Sequence, residues 1–149
     1  KIDDLKKDCI EQRYLGYYIK WDPQEAYYYA AKNTGFRPNT ERTEGSYSKY
    51  SSIDDKTDTF HYYTTYIKFG IGRASYDAAQ EIRNNKISRV EGVNLVHKFD
   101  HEFPNKYFKE FLDYIDIDEE LFWKTLNNFR SPHLWKKING IWELKNKLE

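Results

Sequence analysis

The sequence predicts a mainly α-helical, compact domain of several helices that ends in a small β-hairpin. Apolar residues recur at spacings of three and four through the second half of the chain. Two segments carry helix-start signals, Asp22-Pro23-Gln24-Glu25 and Ser88 with Glu91. Near the C-terminus, Asn139-Gly140 is the dipeptide favoured in two-residue hairpin turns. Residues 1–149 are therefore expected to form a single helical domain.

The first half of the chain predicts one helix between two less regular segments. The apolar run at residues 14–19 indicates either a short strand or a buried connector, and periodicity alone leaves both open. In Asp22-Pro23-Gln24-Glu25, Asp22 is suited to cap a helix and Pro23 to occupy its first position. Residues 38–59 are dominated by Ser, Thr, Asp, Glu and Lys, which predicts a long exposed segment.

The second half predicts four helices in succession, followed by a hairpin flanked by Trp135 and Trp142. Each helix has an apolar face at helical spacing. The residues expected on these faces are, in chain order, Ala74, Ala78 and Ile82; Val90, Val93, Val96 and Phe99; Tyr107, Phe108, Phe111, Leu112 and Ile115; and Leu121, Phe122, Thr125, Leu126 and Phe129.

Charge and composition exclude several classes of protein. Lys and Arg together number 24, as do Asp and Glu, so the chain lacks the basic excess of a nucleic-acid binder. No apolar run is long enough to span a membrane, and the charged N-terminus is unlike a signal peptide. The single cysteine, Cys9, cannot form an internal disulfide. These features predict a cytoplasmic protein.

The ends of the sequence suggest a piece of a longer protein. The chain contains no methionine and begins with Lys1, so we expect it to be a C-terminal fragment of a longer enzyme. Leu148-Glu149 at the other end is consistent with a cloning scar.

The densest group of candidate site residues surrounds two glycines that precede a predicted helix. Gly70 and Gly72 let the backbone approach a ligand closely, and the helix start supplies free N–H donors. Lys68 and Arg73 add positive charge. Asp77 follows Arg73 at a spacing of four, and Glu81 continues the same face. One interpretation is an anion or sugar-phosphate pocket; the other is a tight turn with an ordinary surface pair between Arg73 and Asp77.

A metal site is not expected. His97 and His101 have the spacing that lets two imidazoles reach one ion, but a third protein ligand is not apparent, and the helix is expected to end before Pro104. The chain also shows no complete set of catalytic residues.

Three segments resemble, in order, the C-terminal part of the N-acetyl sugar amidotransferases. They are Tyr14-Leu15-Gly16-Tyr17-Tyr18-Ile19-Lys20-Trp21-Asp22, Lys68-Phe69-Gly70-Ile71-Gly72-Arg73-Ala74 and Asp100-x-Glu102-Phe103-Pro104. The resemblance runs from about Tyr14 to Trp142. This family belongs to the ATP pyrophosphatases and serves bacterial lipopolysaccharide and related surface-sugar biosynthesis.

The resemblance implies a reaction, its cofactor and its partners. An acetamido carbonyl would be activated by adenylylation with ATP and Mg²⁺, and ammonia would then convert the acetamido sugar to an acetamidino sugar. A separate glutaminase subunit would supply the ammonia. The family's Ser-Gly-Gly-x-Asp-Ser pyrophosphate loop and its cysteine cluster are absent from these 149 residues. The resemblance therefore implies that ATP binds an N-terminal ATP-pyrophosphatase domain of the same chain, and that this part alone neither catalyses nor holds a cofactor or metal.

The resemblance implies a role for the glycine segment without fixing its ligand. Lys68, Gly70, Gly72 and Arg73 would form a loop that closes over substrate or nucleotide, with Asp77 orienting Arg73. The same residues are equally suited to hold two domains together. A non-catalytic protein-interaction module and a sugar-binding helical module are the alternatives.

Overall fold

The computed structural model describes Asp4 and residues 7–149, and it confirms the mainly α-helical fold with a C-terminal hairpin. A 3₁₀ turn at Leu15–Tyr17 comes first. The helices and strands that follow are α1 (Pro23–Asn33), α2 (Asp58–Phe69), α3 (Arg73–Arg83), α4 (Arg89–Phe99), α5 (Phe108–Ile115), α6 (Glu119–Phe129), β1 (Trp135–Ile138) and β2 (Ile141–Leu144).

Side-chain caps fix the starts of three helices. The Asp22 carboxylate accepts a hydrogen bond from the Glu25 N–H at 3.1 Å, as its place before Pro23 predicts. Ser88 and Glu91 form the predicted reciprocal capping box at the start of α4. Asp118 caps α6 in the same way as Asp22 caps α1.

The hairpin forms at the predicted dipeptide. Asn139 and Gly140 have φ angles of 50° and 83°, and type I′ turns require positive φ at both central residues. The antiparallel strands pair Trp135 with Leu144.

The core is largely aromatic and is built around α2. Phe60 and Ile67 of α2 are each 1% exposed, and the Phe60 ring stacks on Phe111 of α5 at 4.1 Å. Trp135 of the hairpin donates its indole N–H to the Ile67 carbonyl at 2.7 Å. The apolar spacing did not predict α2, because its sequence mixes threonines and tyrosines whose helix propensity is modest. Packing of Phe60 and Ile67, rather than propensity, stabilises this helix.

Helices α3 and α4 pack closely through small residues. Ala74 and Ala78 are buried as predicted, and a Cβ added to Gly92 would lie 2.7 Å from the Ile82 side chain. The prediction that Val90 lies on the inner face of α4 is wrong, since its side chain is 70% exposed. Val90 belongs to the capped first turn, whereas Val96 further along is buried.

The prediction that residues 38–59 are exposed is wrong for the middle of that segment. Thr43, Ser46, Ser48 and Ser51 are buried there. Polar side chains can be buried because they find hydrogen-bond partners; the Thr43 hydroxyl, for example, donates to the Ser51 carbonyl at 2.7 Å.

A long-range ion pair ties this segment to the end of α4. Arg42 Nη1 donates to Glu102 Oε2 at 2.6 Å, and the Gly45 N–H donates to the same oxygen at 2.8 Å. The Arg42 guanidinium also lies over the Phe99 ring at 4.6 Å. Residues 43–52, called the serine segment below, are therefore part of the folded unit.

The apolar run before α1 is exposed. Tyr14 and Tyr17 are 75% and 87% exposed, and the backbone forms the 3₁₀ turn. Both the strand and the buried connector predicted for residues 14–19 are therefore wrong.

Candidate functional site

A cleft of about 560 Å³ lies among α1, the serine segment, α2 and α3. We call it the tyrosine cleft, because aromatic side chains supply much of its lining. The aromatic lining residues are Trp21, Tyr27, Phe36, Tyr47, Tyr50, Tyr62 and Tyr76.

Arg73, on the first turn of α3, is held in the cleft wall by side chains from three elements. Its Nε donates to Asp77 Oδ1 at 2.8 Å, within α3. Its Nη2 donates to the Ser51 hydroxyl at 3.1 Å and its Nη1 to the Tyr62 hydroxyl at 3.3 Å. The guanidinium also lies 5.1 Å from the centre of the Tyr62 ring. These contacts fix the position of the guanidinium in the cleft.

Asp77 is partly buried beside Arg73 and joins α3 to the serine segment. Its second carboxylate oxygen accepts a hydrogen bond from the Ser46 hydroxyl at 2.6 Å. Burial raises the pKa of Asp77, and this outweighs the lowering by Ser46 and Arg73; the charge of Asp100 adds to the rise. Ser46 and Arg73 are therefore the two partners that favour the charged form of this carboxyl group.

Glu81 lies one turn further along α3 and also faces the cleft. Burial raises its pKa most, and repulsion by the Asp77 and Asp22 carboxylates raises it further, although Tyr47 lowers it. Asp77 and Glu81 thus share a region that disfavours additional negative charge.

Two tyrosines of the serine segment experience the same negative field. Burial and the charges of Glu81 and Asp77 raise the pKa of Tyr50 to about 12, and they raise the pKa of Tyr47 as well. The Tyr47 hydroxyl is buried close enough to Glu81 for the two groups to influence each other, but it makes no hydrogen bond of standard geometry.

The lining of the cleft carries an excess of negative charge. Asp22, Asp58, Asp77 and Glu81 line it together with the single cation Arg73. Asp77 offsets the charge of Arg73. A field of this sign repels phosphates and carboxylates and attracts cations.

Of the five site residues predicted from sequence, the structure brings Arg73 and Asp77 together in the cleft. Lys68 lies elsewhere, with its ammonium 5.8 Å from the centre of the Phe129 ring of α6. Gly70 ends α2 at a φ of 75°, and a Cβ there would lie 3.1 Å from Leu144 of the hairpin. Its contacts are those of a helix end packed against β2.

Gly72 meets a carboxylate of this chain. Its N–H donates to Asp100 Oδ2 at 2.8 Å, and the Ser75 N–H donates to Asp100 Oδ1 at the same distance. The Ser75 hydroxyl adds a bond of 2.6 Å to Oδ2. Two of the backbone donors that an external anion would use at the start of α3 are therefore bonded to Asp100, which lies at the end of α4.

The sequence offered only part of the site. Glu81 follows Asp77 on one helical face, a signal visible in the spacing. Ser46, Tyr47 and Ser51 belong to a segment expected to be exposed, and no local pattern links them to α3.

Neither a metal site nor a membrane span is found in the part of the chain that the structure describes. No three His, Cys, Asp or Glu side chains there are grouped so that they could hold a metal ion. The His97 imidazole instead bonds the Leu148 carbonyl at 2.8 Å. No helix among the described residues has the length and apolar character needed to cross a bilayer.

A family model places this chain among proteins of lipopolysaccharide biosynthesis. The model, described as LPS biosynthesis protein WbpG-like, C-terminal domain, matches residues 44–149. The chain belongs to this family, since the match covers well over half of its length. The matched region contains α3 and all of the serine segment except Thr43, whereas α1 lies before it. The comparison with curated proteins gave no match.

Proposed function

We propose that this chain is the C-terminal part of an ATP-dependent N-acetyl sugar amidotransferase, and that its tyrosine cleft contacts the sugar. The longer enzyme converts an acetamido sugar to an acetamidino sugar in the cytoplasm, for lipopolysaccharide or a related surface polysaccharide. The family match supports the pathway, and the resemblance at the three sequence segments supports the reaction. The observation that carries the sugar-binding role is the cleft itself, with Arg73 fixed in its wall.

The cleft has the size and chemistry that a sugar ring requires. A volume of about 560 Å³ lies within the range of small-molecule pockets, roughly 300–1,000 Å³. Tyrosine rings offer flat faces to the C–H groups of a sugar. Glu81, the Tyr47 hydroxyl and the guanidinium of Arg73 offer acceptors and donors for sugar hydroxyls.

The described residues do not fit ATP. The cleft is acidic, and the start of α3, where a phosphate would otherwise bind, is filled by Asp100. We therefore assign ATP and Mg²⁺ to the N-terminal ATP-pyrophosphatase domain of the longer chain. A glutaminase subunit is the proposed source of ammonia.

An exposed apolar surface supports packing of this part against that N-terminal domain. Tyr14, Leu15, Tyr17 and Trp21 are each more than half exposed within a few residues of one another. Their segment precedes the region matched by a model of a C-terminal domain. Surfaces of this kind mark contacts between domains or proteins.

The test compares two cations that the sequence placed in one loop and the structure separates. In the full-length enzyme with its glutaminase, Arg73→Lys keeps the charge but removes the planar donor set. We expect it to lower kcat/KM for amidino-sugar formation by about tenfold or more, the scale for misplacing a substrate contact. Lys68→Ala is the control, because Lys68 does not line the cleft.

The proposal fails if Arg73→Lys leaves kcat/KM unchanged while the protein stays folded. If the wild-type enzyme forms no amidino sugar at all, the alternative of a non-catalytic sugar-binding or interaction module takes its place.

A further inference from the structure

The tyrosine cleft contains carboxylates that lack cationic partners. Arg73 pairs with Asp77 at 2.8 Å, and Lys86 lies 3.3 Å from Asp22. Glu81 makes no ion pair with any described residue. Its carboxylate lies close enough to the Tyr47 hydroxyl for that group to lower the pKa of Glu81. Asp58, the fourth carboxylate of the lining, also makes no ion pair with a described residue, but it accepts a hydrogen bond from the Ser52 hydroxyl at 2.8 Å. Glu81 is therefore the carboxylate that we assign to a ligand with a positive charge.

Aromatic faces reinforce the preference for a cation. Tyr27 stacks on Tyr50 with ring centres 4.6 Å apart and planes at 10°. Trp21 and Tyr76, 61% and 59% exposed, also line the cleft. Electron-rich ring faces attract cations, and several such faces around one space are the usual surroundings of an organic cation.

We propose that the tyrosine cleft selects a positively charged amidino group over a neutral acetamido group, with Glu81 as its counter-ion. This inference rests on the proposed function, because an acetamidino sugar is the product of the proposed reaction. An amidinium presents two parallel N–H donors to a carboxylate, in the manner of a guanidinium. Its neutral acetamido counterpart presents one N–H and a carbonyl oxygen, which a carboxylate repels.

The titration behaviour of the lining agrees with this assignment. Burial, with added repulsion among carboxylates, raises the pKa of Asp77 and Glu81, and similar causes raise that of Tyr50. All three shifts reflect surroundings that disfavour negative charge in the cleft. A bound cation supplies the compensating charge and draws these pKa values down again.

The experiment measures binding of two matched sugars to this chain by calorimetry at low salt and about pH 8. One probe is the methyl glycoside of an N-acetylated hexosamine. The other is its N-acetimidoyl counterpart, in which NH₂⁺ replaces the acetyl oxygen. We expect the amidino probe to bind about fivefold more tightly, the scale of a partly exposed ion pair.

Two variants, each of which removes one carboxylate charge, test whether Glu81 causes the preference for the amidino probe. Glu81→Gln should bring the ratio of the two affinities close to one, whereas Glu120→Gln on α6 should leave the ratio unchanged. Glu120 is the matched control because it is an exposed carboxylate outside the cleft. Circular dichroism checks that both variants remain folded.

Equal affinities, tighter binding of the acetamido probe, or no binding of either would each overturn the inference. So would equal effects of the two variants. The proposed function is judged separately by product formation in the full-length enzyme. This chain could prefer the amidino probe while Arg73→Lys leaves product formation by the full-length enzyme unchanged. That combination would support the cation site and contradict the proposed role of the cleft in binding the substrate.

Discussion

Single residues of α3 determine the electrostatics of the cleft. Arg73, Asp77 and Glu81 follow one another at spacings of four, so one helical face carries a cation and two carboxylates. Asp77 has the ion pair and the Ser46 hydrogen bond, whereas Glu81 has no cationic partner among the described residues. Ionisation of Glu81 is therefore expected to lower the stability of the folded chain.

Removing the charge of Glu81 should stabilise the chain at neutral pH. Its pKa is raised in the folded state, so ionisation costs stability above that pKa, and the cost disappears as the pH falls through it. We expect Glu81→Gln to raise the free energy of unfolding by about 0.5 kcal/mol at neutral pH, a value discounted for solvent screening. Urea unfolding at several pH values measures the difference, which should shrink on acidification.

Glu91→Gln provides a control of opposite sign. The Ser88 N–H and hydroxyl lower the pKa of Glu91, so its charge stabilises the fold above its unfolded pKa, and this contribution is lost as the pH falls through the folded pKa. Glu91→Gln should therefore destabilise the chain at neutral pH. A Glu81→Gln variant that is less stable than wild type at neutral pH would contradict the assignment.

At the scale of elements, Asp100 connects the end of α4 to the start of α3. Its carboxylate is buried and accepts from Gly72 and from both the N–H and the hydroxyl of Ser75. A Cβ at Gly72 would lie 2.9 Å from the Asp100 carbonyl oxygen, so the two chain segments lie closer than a residue with a side chain would allow. This contact sets the direction of α3 and with it the position of Arg73.

Asp100→Ala should destabilise the chain by about 3 kcal/mol, because three donors would lose a charged acceptor in a buried place. Asp113→Ala, an exposed change on α5, should alter stability by no more than about 0.5 kcal/mol. Urea denaturation of both variants measures these effects. A loss below about 1 kcal/mol for Asp100→Ala would show that other contacts orient α3.

The elements that sequence predicts are those with local causes. The caps at Asp22 and Ser88 and the turn at Asn139-Gly140 depend on residues within four positions, and all three form. Helix α2 and the burial of the serine segment depend on distant partners such as Trp135 and Glu102. Contacts between residues so far apart in the chain produce no periodic pattern in the sequence.

The candidate site follows the same division. Arg73 and Asp77 are visible as a pair four residues apart. Ser46 lies 31 positions from Asp77, and Ser51 lies 22 positions from Arg73, so neither hydrogen bond has a local signal. At Gly72, where the sequence suggested an anion site, the backbone N–H donates to the carboxylate of Asp100 from the same chain.

At the scale of the whole molecule, the core and the cleft share α2. Phe60 and Ile67 face the core, while Tyr62 reaches the cleft and bonds to Arg73. On the far wall, α1 is joined to the rest by Lys86, which contacts Asp22 and Glu25, and by the Asn84 side chain, which donates to the Trp21 carbonyl at 3.2 Å. The shape of the cleft therefore depends on the contacts that hold α1, α2 and α3 together.

The most direct test of a sugar-binding cleft is a backbone amide NMR titration of this chain with the methyl glycoside of an acetamidino hexosamine. We predict saturable shift changes concentrated in the serine segment, in α1 and between Arg73 and Asn84. The hairpin at Trp135–Leu144 should show none, because its residues do not line the cleft. Absence of saturable shifts, or shifts confined to the hairpin and α6, would contradict the assignment of the cleft.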